Sequence, residues 1–223
     1  MDLDRFMNCR LFRNVEEDEL AALLEKADGN IHRYRKGEVI INLADFADRI
    51  GIILRGRVSV QKIFESGSIV QVTTKQAGEM IGEAASFSHA QMYPCELIAE
   101  TDTEMYILTR VNMLEMLSSH PVVLENFVTE LATQAFMLQN RIEILSYKGT
   151  DQRLACFLLR RMNATGKDRI PLPGTMVRLA QMLNVSRTTL HRELKLLEEN
   201  GVLQYKDKMI EVLDPAALER LLE

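Results

Sequence analysis

The chain has 223 residues, 47% of them hydrophobic and 26% charged, a composition that fits a soluble globular protein with room for two modest domains. Its apolar runs all fall short of the ~20 residues that a membrane helix needs, and MDLDRF lacks the basic and apolar regions of a signal peptide, so a cytoplasmic protein is expected. The net charge of −5 speaks against nucleic acid only if it is evenly spread, and it is not.

In chain order, Cys9, Cys95 and Cys156 are widely spaced, form no CxxC pair and read as reduced thiols. EEDELAALLEKA at 16–27 has the acidic start and apolar spacing of a short amphipathic helix. From Ile31 to Leu108 the pattern becomes short β segments: VIIN (39–42), IGIIL (50–54), RVSVQKIF (57–64), IVQVTTK (69–75) and EMYIL (104–108). Gly37, Gly56, Gly67, Gly78 and Gly82 punctuate them, which predicts an antiparallel sandwich or roll. Within 78–99, Gly82-Glu83 followed by small residues is a candidate start of a short helix with free N–H groups facing a ligand, or simply a tight turn.

A short helix is expected at 110–118. Pro121 then suits the first turn of a long one. Leu124, Val128, Leu131, Ala135, Leu138, Ile142 and Leu145 follow at alternating spacings of four and three, the seam of a coiled-coil pair. A helix over 121–148 would run ~42 Å. The spacing predicts a homodimer, with Val128, Leu131, Ala135, Leu138, Ile142 and Leu145 at the interface.

Lys148-Gly149-Thr150 is the candidate hinge, followed by an apolar helix over 151–162 and a rigid loop, IPLPG, at 170–174. The next stretch, MVRLAQMLNVSRTTLHRELKLLEENG at 176–201, organises the rest. Val177, Leu179, Ala180 and Leu183 share one helical face. Asn184 tolerates the left-handed backbone of a turn, and Ser186 is a good N-cap. Leu190, Leu194 and Leu197 form the buried stripe of a second helix that Gly201 closes. Arg187, Thr188, His191 and Arg192 are left on the outer face, while Glu193 sits where an apolar residue is commoner. VLQY and MIEV around a KDK turn make a β-hairpin, with Lys206 and Lys208 placed to meet phosphate. This is the pattern of a winged helix-turn-helix, whose second helix enters the major groove; an ordinary helical hairpin is the plain alternative. Residues 149–223 hold 12 Lys/Arg against 10 Asp/Glu, while residues 1–148 hold 15 against 22. Local charge sets the attraction to phosphate.

Taken together, YRKGEVI (34–40), GIILRGRVSV (51–60), GEMIGEAASF (78–87), QRLACFLL (152–159) and above all VSRTTLHRELKLLEENGVL (185–203) resemble the Crp/Fnr superfamily of bacterial transcription regulators over essentially the whole chain. The resemblance implies an α+β architecture: a β-roll effector-sensing domain (1–118) of the double-stranded β-helix type, a dimerisation helix (119–148) and a winged helix-turn-helix (149–223). It implies a homodimer reading a two-fold symmetric site on double-stranded DNA, with RNA polymerase as a further partner, and no membrane.

Its base-reading positions fall on Arg187, Thr188, His191 and Arg192; Arg can grip guanine bidentately. Many relatives carry Glu where this chain has Thr188, so their target sequence does not transfer. Thr175, Ser186 and Thr189 are expected on phosphate. In cyclic-nucleotide binders of the family an Arg-Ser or Arg-Thr pair holds the phosphate, and those positions fall here on Tyr93 and Pro94. Neither offers a permanent positive charge, so the expected effector is a small organic molecule other than cyclic AMP. Gly82, Glu83, Tyr93, Leu138 and Gln139 are its expected site. Only Cys9 lies where oxygen-sensing relatives carry a cysteine cluster, which argues against an iron–sulfur centre. His89, Met92 and Cys95 keep haem open as an alternative.

Two rival classes are weaker. An enzyme needs converging groups, yet the four His are scattered and GxSxG, HExxH and P-loop spacings are absent. A regulator acting through protein partners would not need the Arg187–Arg192 pair.

Overall fold

A computed structural model describes residues 2–64, 68–90 and 92–223, which form two compact units, Met1–Thr133 and Gln134–Glu223. The first opens with α1 (Asp4–Met7), a 3₁₀ turn (Arg10–Phe12) and α2 (Glu17–Lys26). Eight strands follow: β1 (Asn30–Tyr34), β2 (Val39–Ile41), β3 (Arg49–Arg55), β4 (Arg57–Ile63), β5 (Ile69–Gln76), β6 (Met80–Ile81), β7 (Glu96–Ala99) and β8 (Thr103–Thr109). Helix α3 (Glu83–Phe87) separates β6 from β7, and α4 (Arg110–Ser119) follows β8. The strands make two four-stranded antiparallel sheets in the orders β1-β8-β3-β6 and β2-β7-β4-β5.

Strand β3 shows why this region folds so. Ile50, Ile52 and Leu54 point to one core, shared with Phe6, Leu20, Tyr106 and Met113 from the flanking helices and β8. Ile53 points the other way, into a core between the sheets with Ile41, Val58, Ile81, Leu97 and Met105. A strand buried on both faces reads as a continuous apolar run, IGIIL, rather than an alternation. Gly37, Gly56, Gly78 and Gly82 all take positive φ at the turns, as their punctuation predicts; Gly67 lies outside the described residues. Strands β1, β6 and β7 and helix α1 are additional to the expected elements.

Helix α5 (Pro121–Ser146) ends two residues before the expected 148. Its first turns bury Val123 and Phe127 in the core that the roll shares with α1, α2 and α4, a facing that a heptad count alone does not reveal.

The second unit contains α6 (Thr150–Thr165), β9 (Arg169–Pro171), α7 (Met176–Met182), α8 (Arg187–Glu199), β10 (Leu203–Lys206), β11 (Met209–Val212) and α9 (Pro215–Arg220). At the start of α6 the Gln152 side chain accepts from the Gly149 N–H at 3.2 Å. Leu154, Leu158, Leu179, Leu190, Leu194, Ile210 and Val212 meet in one core. The IPLPG segment is not simply a loop. Its first residues form β9, the edge strand of a sheet ordered β10-β11-β9, with Pro171 opposite Met209. Proline is tolerated there because it need not donate on an edge strand.

Candidate nucleic-acid interface and effector pocket

Helices α7 and α8 are joined by a turn at Asn184, whose φ of 53° is the left-handed value its short polar side chain tolerates. The Val185 N–H donates to the Ala180 carbonyl at 3.0 Å and the Asn184 N–H to Gln181 at 3.2 Å. A residue missed in the sequence holds this turn from outside. The Arg153 guanidinium donates to the carbonyls of Tyr147 (2.8 Å), Leu183 (3.1 Å) and Asn184 (3.4 Å), satisfying acceptors that a helix end leaves open.

Ser186 is the N-cap of α8, accepting from the Thr189 N–H at 3.0 Å. Its hydroxyl also meets those of Thr188 (2.8 Å) and Thr189 (2.7 Å). Three hydroxyls thus cluster at a helix N-terminus, whose unpaired N–H groups and dipole attract anions. Leu190, Leu194 and Leu197 are buried while Arg187, Thr188, His191 and Arg192 are exposed. Among the described residues, the ion pairs of this unit lie elsewhere: Arg160–Glu143, Arg169–Glu211, Lys195–Glu199 and Arg220–Asp214. Thr175 caps α7, accepting from the Arg178 N–H at 3.1 Å.

Val177 departs from expectation. It is exposed, because Leu179, Ala180 and Leu183 already fill the narrow face that α7 turns to the core. Glu193 is half-buried; burial raises its carboxyl pKa, the charge of Asp151 adds to that, and Arg192 partly opposes it. At the wing, Lys206 is the exposed last residue of β10, and Asp207 and Lys208 both take positive φ (51° and 62°), the backbone of a two-residue type I′ hairpin.

Helix α5 presents a second kind of surface. Val128, Ala135, Leu138 and Ile142 are exposed, Leu138 at 60% and Ile142 at 62%, while Leu131 and Leu145 are half-buried. Phe136 and Met137 are exposed beside them, and Gln139 is exposed too.

In the roll, Gly82 (φ 82°) precedes α3, and Glu83 is buried. Tyr93 is only 3% exposed. Its hydroxyl donates to the Arg49 carbonyl at 2.5 Å, and the Arg49 N–H donates back at 3.3 Å. Ser86 Oγ also donates to the Arg49 carbonyl, at 2.9 Å. The loop expected to hold an effector thus pins the main chain of Arg49. Arg49 lines a small cavity of about 10 Å³ together with Ile40, Ile41, Gly51, Ile81, Met105 and Ile107.

His89 and Met92 are exposed and Cys95 is half-buried; all three lie on the segment between α3 and β7. Among the described residues no group of three or more His, Cys, Asp or Glu could hold a metal ion. Cys9 is buried and donates to the Arg5 carbonyl at 3.3 Å, and burial pushes its thiol up to about 12. No helix among the described residues is long and apolar enough to cross a membrane.

A two-sheet roll, a long helix and a winged helix-turn-helix with an outward basic face define a regulator of the DNA-binding class. A family model for the cyclic nucleotide-binding domain matches residues 31–120, and one for the Crp-like helix-turn-helix domain matches 152–221. The chain belongs to the Crp/Fnr family of transcriptional regulators. It is similar to the cAMP-activated global transcriptional regulator CRP of Pasteurella multocida, at 24% identity over 187 residues, covering 82% of this chain and 90% of that protein. A probable transcriptional regulator, flp, of Lacticaseibacillus casei is 24% identical over 213 residues, 94% of each. The catabolite activator protein of Thermus thermophilus has a similar fold, with a TM-score of 0.56 at 23% identity over 96% of this chain and 98% of that one.

Proposed function

We propose that this chain is a cytoplasmic, effector-responsive regulator that binds a two-fold symmetric promoter site as a homodimer and works with RNA polymerase. The observation that carries the reading is the exposed face of α8, where Arg187, Thr188, His191 and Arg192 stand free of the leucine core behind a hydroxyl-lined helix start. Arg187 and Arg192 suit guanine edges. Ser186, Thr189, Thr175 and Lys206 suit phosphates. The exposed seam of α5 supports pairing with a second copy through Val128, Leu131, Ala135, Leu138, Ile142 and Leu145, since large apolar surfaces mark association sites.

The domain division we favour remains roll (1–118), dimerisation helix (119–148) and DNA-reading domain (149–223). Residues 147–149, between the end of α5 and the start of α6, suit a hinge. The effector we favour is a small organic molecule rather than cyclic AMP or haem, taken up by the roll near Gly82, Glu83 and Tyr93. Tyr93 is buried with its hydroxyl already engaged, and Pro94 has no N–H to offer. An effector that prefers one orientation of the reading helices shifts the population toward it.

The test is selection of random duplex DNA by the full chain, alongside native mass spectrometry. A dimer enriching inverted repeats with half-sites about one turn apart, ~34 Å, supports the reading. A monomer, or no enrichment, overturns it. Saturable cyclic AMP binding by calorimetry would overturn the effector assignment alone.

A further inference from the structure

Positions 49, 51 and 53 share the face of β3 that looks into the space between the sheets, since Ile53 lies in that core while Ile50, Ile52 and Leu54 lie in the other. Two features of that face are unusual for a core wall. At 51 the residue is glycine, and a side chain there would run into the end of Met105 and come within 3.1 Å of Ile81 Cγ1. The flexible tail of Met105 therefore fills room that the missing side chain leaves, and an unbranched thioether can be moved aside at little cost. At 49 the residue is an arginine whose side chain is 49% exposed and whose Nε lies 3.5 Å from the Asp48 carboxylate.

The aliphatic lining of Ile40, Ile41, Ile81 and Ile107 completes the pocket. Tyr34, packed against the same inter-sheet core and stacked on His32 at 6.4 Å, lies close enough that the Arg49 charge opposes the upward push of burial on its phenol. Tyr93 and Ser86 hold the Arg49 carbonyl from the loop side, which fixes where the guanidinium is rooted.

We infer that this pocket takes a small monocarboxylate with a short apolar body, its carboxylate on the Arg49 guanidinium and its body displacing the tail of Met105. The inference deepens the effector reading above and rests on it. Guanidinium matches carboxylate in a two-pronged geometry, while a lining of isoleucines and one methionine offers nothing to a sugar or a second charge. Met105 thus acts as a plug over an apolar slot, and Arg49 selects the charge of what replaces it.

The test uses the full chain with ¹³C-methyl-labelled methionine, the Met105 signal being assigned by Met105→Leu. Straight-chain carboxylates from butyrate to octanoate are titrated, with hexanol as the neutral counterpart of hexanoate. The expected result is a saturable shift of the Met105 methyl with hexanoate, and binding of hexanol weaker by about tenfold or more. Arg49→Gln should weaken hexanoate by about the same factor and leave hexanol unchanged, while Arg49→Lys, which keeps the charge but not the two-pronged fork, should restore only part of the binding. A Met105 signal indifferent to the whole series overturns the proposal, as does equal hexanoate affinity in wild type and in an Arg49→Gln variant with an unaltered methionine spectrum. DNA selection on the same preparations keeps the two readings apart. Enrichment with a silent Met105 defeats only the pocket, and a responsive Met105 without enrichment defeats the regulator.

Discussion

Helices α5 and α8 are both amphipathic, yet they end in opposite states. Helix α8 buries every leucine of its stripe, Leu190, Leu194 and Leu197, and shows solvent a polar, basic face; α5 leaves Val128, Leu138 and Ile142 in the open. The first is a finished element waiting for a polar partner. The second is unfinished, because apolar area of that extent is stabilised only when something covers it. On the function proposed above, one chain carries two recognition surfaces governed by different physics: charge and hydrogen bonding at α8, hydrophobic burial along α5.

The largest expected effects test that division directly. Leu138→Glu should raise the dimer dissociation constant by about 100-fold or more, since two carboxylates would be buried near the symmetry axis without partners; sedimentation equilibrium reads this. The fold of the protomer should survive, as judged by circular dichroism. Leu194→Ala should do the reverse, costing ~2–5 kcal/mol of unfolding free energy independent of protein concentration. If Leu138→Glu remained dimeric, or lost its fold as Leu194→Ala would, the contrast between the helices would collapse.

Arg153→Met should come next. It strips three backbone carbonyls of their donor and should cost ~1.5–3 kcal/mol in denaturant unfolding of the C-terminal unit. DNA affinity should fall with it, because the turn that aims α8 is loosened. Arg187→Ala should cost ~1–3 kcal/mol in DNA binding and relax specificity at one base position in competition binding, while leaving stability alone. A loss spread uniformly over all sequences would make Arg187 a phosphate contact instead.

The smallest effect concerns Glu193. Its carboxyl pKa is raised in the fold above the ordinary 4.5, by burial and then by Asp151. The folded state therefore holds this proton more tightly than the unfolded chain does. The stability linked to it is complete below pH 4.5 and is lost as pH rises through the raised value. Glu193→Gln should then stabilise the protein at neutral pH by ~0.5 kcal/mol or less, solvent screening keeping the effect small. The gain should vanish below pH 4.5 in pH-resolved thermal melts.

The helix pair, the wing and the long helix are legible in the sequence because their signals are local: Asn184 and Ser186 mark a turn and a cap, and the heptad spacing needs no tertiary context. Strands β6 and β7 are not, because two to four residues with no alternation carry little pattern. Pro171 misleads in the other direction, since proline signals a loop unless one knows that the strand lies at an edge. Val177 looks as apolar as its neighbours, and only the crossing of α7 on its core reveals it as surplus.

The pocket at Arg49 is the least legible feature. Its walls come from β2, β3, β6 and β8, and the alternation that puts Arg49 and Gly51 on the same face as Ile53 is hidden beside a run buried on both sides. The reading of 78–99 as an effector loop names Tyr93, and only the fold shows that the Tyr93 hydroxyl holds the main chain of Arg49.

Strand β3 is a partition one residue thick, with the helix-packed core on one side and the inter-sheet core on the other. Protein interiors are packed as densely as organic crystals and have no slack in which to lose a displacement. What wedges against Gly51 beyond the room that the tail of Met105 gives up is therefore passed to Ile50 and Ile52, in the core they share with Met113 of α4 and Phe127 of α5. The wall between the two cores works as a membrane does in a pressure gauge: thin, loaded on both faces, and unable to yield on one without announcing it on the other.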